Sequence, residues 1–273
     1  MSSTRVPSNS EVTESALLAQ LDRENLPRHV AVILDGNGRW AKTNRLPRIF
    51  GHRQGAKSVR AIVVLSRELG IEVLSLYAFS NENWRRPKGE IVALMTLLEK
   101  YLQGELNTLM ENNVRFQAVG QIERLPAPVA RLVRSVEATT AGNTAMTLIL
   151  ALSYGGRTEI SDAAVRLAED VQRGKIALEE ITEDRFARYL YAPDVPDPDL
   201  LIRTSGEMRI SNFLLWQMAY TEFYFTETLW PSFRRCDFLH ALLAYQKRER
   251  RFGRVRSKPA EPKARRGPPR ASV

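Results

Sequence analysis

Asp35 and the glycines that follow it form the stretch of this 273-residue chain best equipped for chemistry. Residues 30–34 are an unbroken apolar run, which is typical of a strand buried on both faces. Gly36 and Gly38 then turn the chain into a helix predicted to begin near Arg39, and a helix start presents unpaired backbone N–H groups to a phosphate. Because Asp35 would repel a bare phosphate, whereas Mg²⁺ is held by carboxylates together with substrate phosphates, the stretch predicts a site for Mg²⁺ and a diphosphate.

Glycine, arginine and other polar residues follow four of the six predicted strands, at residues 35–39, 80–86, 154–157 and 203–207. In open parallel sheets, ligands bind beyond the carboxyl ends of the strands. The arginines in or near these segments are Arg39, Arg48, Arg86, Arg203 and Arg209. A guanidinium group pairs with phosphate oxygens through two hydrogen bonds and stays charged at any working pH. Five of them indicate two anionic ligands, or one large one.

Apolar runs alternate with helical periodicity along the chain, which predicts an α/β fold with a central, mostly parallel sheet of about six strands flanked by helices. The predicted strands are 30–34, 73–79, 114–119, 147–152, 200–202 and 222–226. The predicted helices are 11–24, 52–69, 88–112, 126–141, 158–171, 182–190, 211–219 and 234–250, with a loop over 45–53. We expect one catalytic domain over 25–250, an N-terminal extension over 1–24 that is disordered or a short helix, and a disordered basic tail over 251–273.

The net charge of +9 lies entirely at the C-terminal end of the chain. From Lys247 onward there are 11 basic residues against two acidic ones, so the preceding 246 residues hold 29 of each sign. The body is therefore neutral, and nucleic acid is not an expected partner. The tail is predicted to aid solubility, or to be weakly attracted to an anionic membrane surface. A lone cysteine, Cys236, and the lack of any apolar run near 18 residues favour a cytoplasmic protein.

Two other site classes are poorly supported. Residues 36–41 match the dinucleotide pattern G-x-G-x-x-A, but the acidic residue required about 20 positions later is missing, since residues 55–57 are Gly-Ala-Lys. A zinc site is also disfavoured, because His29, His52, His240 and Cys236 show no ligand spacing.

Five blocks of the sequence resemble the signatures of the cis-prenyltransferases, the isoprenyl transferases of the undecaprenyl diphosphate synthase type. The blocks are 29–41 with 51–52, 77–87, 153–157, 199–207, and 209–225 with 229–231. The similarity runs from about residue 25 to 250 in the family's order. Met208, Ile210 and Ser232 depart from the expected pattern without changing a charged position. The resemblance implies an undecaprenyl diphosphate synthase-like fold with an apolar tunnel, and a homodimer.

Residue by residue, the resemblance implies the following roles. Asp35 is the Mg²⁺ carboxylate and catalytic centre, with Glu222 helping to hold metal from the neighbouring site. The allylic diphosphate is held by Gly36, Asn37, Gly38, Arg39, Arg48 and His52, with Trp40 beside it. Isopentenyl diphosphate is gripped by Arg203, Arg209 and Ser211, with Ile210 among them. A loop over the reacting ends contains Ser80, Asn81, Glu82, Asn83, Trp84 and Arg86, with Asn83 in the proton-removal step.

The implied reaction is a Mg²⁺-dependent, repeated cis-condensation of isopentenyl diphosphate with an allylic primer such as farnesyl diphosphate. The product is a long-chain polyprenyl diphosphate, the precursor of a lipid carrier for cell-wall or glycan synthesis, and it offers a second means of membrane contact. The growing chain needs a tunnel, and the apolar sides of helices 88–112 and 52–69 are candidates for its lining, with ordinary core packing as the alternative. The proton acceptor is either Asp35 or a phosphate oxygen. A non-catalytic partner subunit would be expected to lose the charged motif residues, yet all of them are present.

Overall fold

The computed structural model describes residues 9–248. Its strands are β1 (His29–Ile33), β2 (Val73–Ser80), β3 (Val114–Val119), β4 (Met146–Tyr154), β5 (Leu200–Arg203) and β6 (Glu222–Phe225). Its α-helices are α1 (Asn9–Gln20), α2 (Asn37–Thr43), α3 (Arg48–Leu69), α4 (Lys88–Glu111), α5 (Ala127–Thr140), α6 (Gly156–Gln172), α7 (Glu183–Ala187) and α8 (Arg235–Gln246). Short 3₁₀ turns cover Asn81–Arg85, Ile122–Arg124, Leu178–Glu180 and Trp230–Ser232.

All six strands form one parallel sheet in the order β3-β4-β2-β1-β5-β6, which confirms the predicted α/β fold. The five residues of β1 are all buried, as a strand covered on both faces requires. Ile33 pairs with Tyr77 of β2 and with Arg203 of β5, which in turn pairs with Phe225 of β6. The carboxyl ends of these strands therefore lie level, and the segments that follow them share one edge of the sheet.

Alternate residues of β1 belong to two separate hydrophobic clusters, because successive strand side chains point to opposite faces. Val30 and Val32 join the larger cluster, which is built with α1, α3, α4, α5 and α8. Ala31 and Ile33 join a smaller cluster that includes Tyr77, Tyr154 and Phe213. The larger cluster lies under the helices that flank the predicted tunnel.

The prediction of a helix over 211–219 is wrong, because this segment is a series of turns. Ser211, Asn212 and Leu214 all have positive φ angles, and such residues cannot continue a right-handed helix. The backbone carbonyl of Asn212 accepts a 2.7 Å hydrogen bond from Gly156, and its side-chain carbonyl accepts one of 2.9 Å from the Arg157 N–H. These bonds anchor the segment to the start of α6 instead.

The loop predicted over 45–53 is also wrong, because α3 begins at Arg48 and carries His52 in its second turn. Tertiary packing explains the difference. A Cβ at Gly51 would collide with the backbone carbonyl oxygen of Asn37, and one at Gly55 would lie 2.6 Å from its side-chain oxygen. These two glycines weaken the helical pattern in the sequence, yet they let α3 approach the start of α2.

The remaining boundaries agree with the predictions within a few residues. The N-terminal helix occupies Asn9–Gln20, places Leu17 in the larger core and contacts α8. The tail over 251–273 lies outside the described residues. Within residues 9–248, no helix has the length and hydropathy that crossing a bilayer would require.

Candidate active site

The carboxyl ends of β1, β2 and β4 open onto a cavity of about 630 Å³. Helices α3 and α4 supply apolar side chains to it, including Val59, Leu94, Leu98 and Tyr101. The predicted site residues that line it are Asp35, Gly36, Asn37, Gly38, Arg48, His52, Ser80, Glu82, Asn83, Arg86 and Ser211. One cavity thus joins a polar group of residues, where charged substrate ends could bind, to an apolar wall.

Asp35 lies two residues beyond β1, and its carboxylate is held by cationic and backbone donors. One oxygen accepts a 2.7 Å hydrogen bond from the Gly36 N–H, and the other lies 3.0 Å from the guanidinium of Arg203. Thr204 fixes the Asp35 backbone, since its hydroxyl donates to the Asp35 carbonyl at 2.7 Å. Because a third of the Asp35 side chain remains exposed, the carboxylate is oriented and still accessible to a ligand.

Two buried polar atoms in the β1–α3 part of the site have no hydrogen-bond partner among the described residues. They are Oδ1 of Asn37, whose amide nitrogen donates to the Leu34 carbonyl at 3.1 Å, and Nε2 of His52. Unpaired buried polar atoms are costly, so such a pair indicates a place for a ligand or ordered water. Burial and then the positive charges of Arg86 and Arg48 lower the pKa of His52 to about 4. The ring is therefore neutral at pH 7 and can donate one N–H to an anion.

Glu90 on α4 aligns two of the predicted arginines, and the sequence analysis did not identify it. Its carboxylate lies 3.3 Å from Nε of Arg48 and 3.0 Å from Nη1 of Arg86. The Arg48 guanidinium also packs over Gly38, where a Cβ would lie 3.0 Å from Nε. Burial, followed by the nearby charge of Arg48, lowers the pKa of Arg86, which still leaves a cation. The four-residue spacing of Arg86 and Glu90 was the only signal in the sequence.

The β5 side brings the other predicted arginines together, but pairs them with groups of the protein itself. Arg203 is 3% exposed and donates to the Ser211 hydroxyl at 2.7 Å and to the backbone carbonyl of Arg209. Glu207 lies 2.5 Å from the Arg209 guanidinium and 3.1 Å from that of Arg39. Nε of Arg203 has no partner within the described residues. Glu207 is thus an acidic centre between two cations, Arg39 and Arg209, which the sequence analysis did not foresee.

The 3₁₀ turn after β2 divides the predicted loop residues into two groups. Ser80 and Asn83 face the cavity and are joined by a 3.3 Å hydrogen bond from the Ser80 N–H to the Asn83 side chain. Asn81 and Trp84 do not line the cavity. The Trp84 indole donates to the Ser153 hydroxyl at 2.9 Å, and that hydroxyl donates to Asn81 at 3.2 Å. These two residues therefore anchor the turn to the end of β4.

Six other predicted residues do not line the cavity: Arg39, Arg203 and Arg209 on the β5 side, and Trp40, Ile210 and Glu222. Trp40 is partly buried on α2, and Ile210 packs against the smaller hydrophobic cluster. Glu222 begins β6 and lies level with the start of β5, about 10 Å along the strands from the edge that carries Asp35. Its carboxylate pairs with Arg248 at 2.7 Å. Asp35 and Glu222 of one chain therefore do not form a shared metal site.

The donor set around Asp35 fits Mg²⁺ only when a substrate supplies further oxygens. The described residues contain no group of three or more His, Cys, Asp or Glu side chains able to hold a metal by themselves. Mg²⁺ commonly uses one or two carboxylates plus substrate phosphates, and Asp35 supplies a carboxylate at the end of β1. The unpaired Nε2 of His52 supplies a donor for such a phosphate, whereas the unpaired Oδ1 of Asn37 only accepts and suits a cation or a water molecule.

Comparisons with known proteins agree with this geometry. Residues 33–253 match the family model described as "Putative undecaprenyl diphosphate synthase". The chain is 53% identical to an isoprenyl transferase of Geobacter sulfurreducens, over 85% of this chain and 94% of that protein, and 51% identical to one of Bacillus subtilis, over 84% and 88%.

Solved structures support the same assignment. Lavandulyl diphosphate synthase from Lavandula x intermedia, in complex with dimethylallyl diphosphate, is 38% identical with a TM-score of 0.82, over 84% of this chain and 99% of that one. A probable undecaprenyl diphosphate synthase from Campylobacter jejuni has the same identity and coverage, with a TM-score of 0.71. The chain therefore belongs to the undecaprenyl diphosphate synthase family and is a cis-prenyltransferase.

Proposed function

We propose that this enzyme catalyses the Mg²⁺-dependent, sequential cis-condensation of isopentenyl diphosphate with farnesyl diphosphate, giving a long-chain polyprenyl diphosphate. The observation that carries the proposal is a donor beside two acceptors in one cavity: the unpaired Nε2 of His52 suits a phosphate, and the unpaired Oδ1 of Asn37 and the Asp35 carboxylate suit a cation. They lie in the same cavity as an apolar wall from α3 and α4. An anionic head with a long apolar tail matches both parts of this cavity.

The allylic diphosphate would bind at the β1–α3 part of the site. Backbone N–H groups at the start of α2, the His52 ring and Arg48 would hold its oxygens, and Asp35 would hold Mg²⁺. When bound, Mg²⁺ neutralises charge that develops on the diphosphate as the allylic C–O bond breaks. The neutral His52 ring can donate an N–H hydrogen bond to the same diphosphate, although it carries no positive charge at pH 7.

Isopentenyl diphosphate would bind on the β5 side, where Arg203, Arg209 and Ser211 gather. Its double bond attacks C1 of the allylic group, the C–O bond to diphosphate breaks, and a proton leaves C2 of the isopentenyl unit. An amide is a poor base, so Asn83 is assigned to orientation, and the acceptor is Asp35 or a phosphate oxygen. Arg209 pairs with Glu207 through Nη1 at 2.5 Å, and its mostly exposed guanidinium keeps other N–H groups that could bind a phosphate.

We also infer that the product is the precursor of a lipid carrier and that the enzyme is a cytoplasmic homodimer. The family membership supports the first inference, and the resemblance of the sequence blocks supports the dimer. The single cysteine is compatible with a reducing compartment. A catalytically silent partner subunit is disfavoured, because Asp35, Arg39, Asn83, Arg203, Arg209 and Glu222 are all present.

The proposal is tested by incubating the purified full-length protein with farnesyl diphosphate, labelled isopentenyl diphosphate and Mg²⁺, and sizing the products by chromatography. We expect a ladder of long chains that disappears when EDTA is added, and a loss of at least about a thousandfold in kcat/KM for Asp35→Ala. Circular dichroism would check that the variant is folded. Absence of product with both farnesyl and geranyl diphosphate would reject the proposal.

The cavity lining indicates which residues of α4 can be substituted to test whether this helix lines the product tunnel. Leu98 lines the cavity, whereas Leu102, which is 1% exposed, is a core residue and does not. We expect Leu98→Trp to shorten the product, because the indole would fill space that the chain needs. We expect Leu102→Trp to destabilise the fold by about 1–3 kcal/mol through overpacking and to leave product length unchanged. Val92→Trp, on the exposed side of α4, is the neutral control. Unchanged products from Leu98→Trp would refute the assignment.

A further inference from the structure

The connection between α2 and α3 forms an exposed surface that the proposed reaction does not use. Residues 42–48 are all exposed. Two large apolar side chains are included in or next to this stretch, Leu46 with 39% and Phe50 with 42% of their surface accessible. We name the surface formed by residues 42–47 with Phe50, Arg53 and Lys57 the α2–α3 patch. Its exposed apolar residues lie on a connection and on the first turn of a helix, where the fold does not require them.

The segment that contains this patch is strongly basic. Residues 36–67 contain eight Lys or Arg and no Asp or Glu. Four of the eight contact acceptors elsewhere: Arg39 with Glu207, Arg48 with Glu90, Arg60 with Glu105, and Arg67 with the carbonyl of Asn112. The other four are Lys42, Arg45, Arg53 and Lys57, and none of them forms an ion pair with a described acidic residue. The α2–α3 patch therefore carries uncompensated positive charge, although the body of the protein is neutral.

The patch adjoins the active site directly. A shallow basic cleft of about 570 Å³ is lined by Gly38, Arg39, Lys42, Arg45, Leu46 and Arg48. Two of these residues, Gly38 and Arg48, also line the active-site cavity. On the outer side, the Arg53 guanidinium lies 5.3 Å from the ring centre of Phe50, so cation and apolar group are presented together. A surface that contacts this cleft would sit beside the diphosphate end of the site.

We propose that the α2–α3 patch docks the enzyme on an anionic membrane surface, with the active-site cavity beside the lipid headgroups. Cations near such a surface gain electrostatic attraction, and exposed Leu and Phe side chains gain by entering the headgroup region. A free phosphate would use the cations but not Leu46 or Phe50. That docking helps the product enter the bilayer rests on the proposed function, since a polyprenyl chain must leave water for a bilayer. The docking itself does not rest on that function, and it can be measured without turnover.

The experiment is co-sedimentation of the full-length protein with vesicles of phosphatidylcholine alone or mixed with phosphatidylglycerol, without substrate. We expect binding to the mixed vesicles that weakens with added salt. Lys42→Gln with Arg45→Gln should lower the partition coefficient about tenfold, and Leu46→Ser with Phe50→Ser should lower it by a similar factor. The matched control is Arg115→Gln with Arg131→Gln, two exposed cations away from the patch, which should leave binding within twofold. Turnover of soluble substrates should be unchanged in all three double variants.

Two results would overturn the inference. The first is vesicle binding by both patch variants equal to that of the parent, which would assign any membrane affinity to other parts of the chain. The second is loss of inorganic pyrophosphate binding in the charge variant with no loss of vesicle binding, which would make the cleft a soluble-anion site. Failure of the proposed function is distinguishable, since it would abolish product formation and leave the vesicle results as they are.

Discussion

A buried histidine lies at each end of the strands, and the two histidines differ in what their ring nitrogens contact. We call the side where the strands begin the amino edge of the sheet, and the side where they end the carboxyl edge. His29 begins β1, is 3% exposed, and has its nitrogens 2.6 Å from the Pro196 carbonyl and 2.7 Å from the Ser75 hydroxyl. A carbonyl oxygen only accepts, so Nδ1 carries the proton and Nε2 accepts from Ser75. His52, at the opposite edge, has no described partner for Nε2. Burial is the main cause that lowers the pKa of both rings to about 4.

A lowered pKa therefore does not distinguish a structural histidine from one in the active site, whereas the hydrogen-bond partners do. The amino edge is closed: Asp199 accepts from the backbone N–H groups of Arg28 and His29, and Arg28 pairs with Glu72 at 2.8 Å. The carboxyl edge is open and keeps unpaired atoms on Asn37, His52 and Arg203. Substitutions at the closed edge should lower stability, and substitutions at the open edge should lower activity. The predictions below test this contrast, from the largest expected effect to the smallest.

The largest effect is expected from Arg203→Lys. A single ammonium group cannot replace a guanidinium that contacts Asp35, Ser211 and a backbone carbonyl together and still has Nε available for a ligand. We expect kcat/KM for isopentenyl diphosphate to fall about a hundredfold, the equivalent of one or two charge-assisted hydrogen bonds. Arg209→Lys is the matched control: this side chain is mostly exposed, and lysine can keep its pair with Glu207, so the loss should be less than tenfold. Equal losses in steady-state assays would contradict the different roles assigned to the two arginines.

His29→Leu should affect stability rather than catalysis. The substitution leaves the Ser75 hydroxyl and the Pro196 carbonyl buried without the ring that they contact. We expect a decrease of about 2–3 kcal/mol in the free energy of unfolding at pH 7, measured by urea denaturation. The kcat/KM per folded molecule should stay within twofold of the parent. A fall in kcat/KM without a fall in stability would show that the amino edge takes part in catalysis.

The stability difference between the parent and His29→Leu should shrink as the pH falls. The pKa of His29 is about 4 in the folded chain and 6.5 ordinarily, so between these values the unfolded state binds more protons. The parent therefore loses stability as the pH falls from 6.5 toward 4, and the variant lacks this contribution. We expect the difference to decrease by about 2 kcal/mol between pH 7 and pH 5. A pH-independent difference between the two urea curves would refute the neutral assignment.

Local patterns in the sequence were sufficient for the sheet and for the turn at Asp35, because both depend on apolar runs and adjacent glycines. They failed where tertiary contacts decide. Position 51 in α3 needs a glycine because the backbone of Asn37 packs closely against it. Helical periodicity in the sequence does not reveal this tertiary contact. The position of Glu222 depends on the register of β6 against β5, so its distance from Asp35 is invisible in the sequence. The pairing of Glu207 with arginines likewise arises only after folding.

The smallest effect, and the most direct test of the contrast, is expected from His52→Leu. Leucine is similar in size to histidine, and the lost Nε2 makes no hydrogen bond to a described residue, so the unfolding midpoint should not decrease. KM for the allylic diphosphate should rise about tenfold, because one hydrogen-bond donor to the anion is lost. His52→Gln returns an N–H donor and should recover part of the affinity, which a purely structural role would not explain. If His52→Leu instead lowered stability as His29→Leu does, the open and closed edges would not differ, and the unpaired atoms would not mark the substrate.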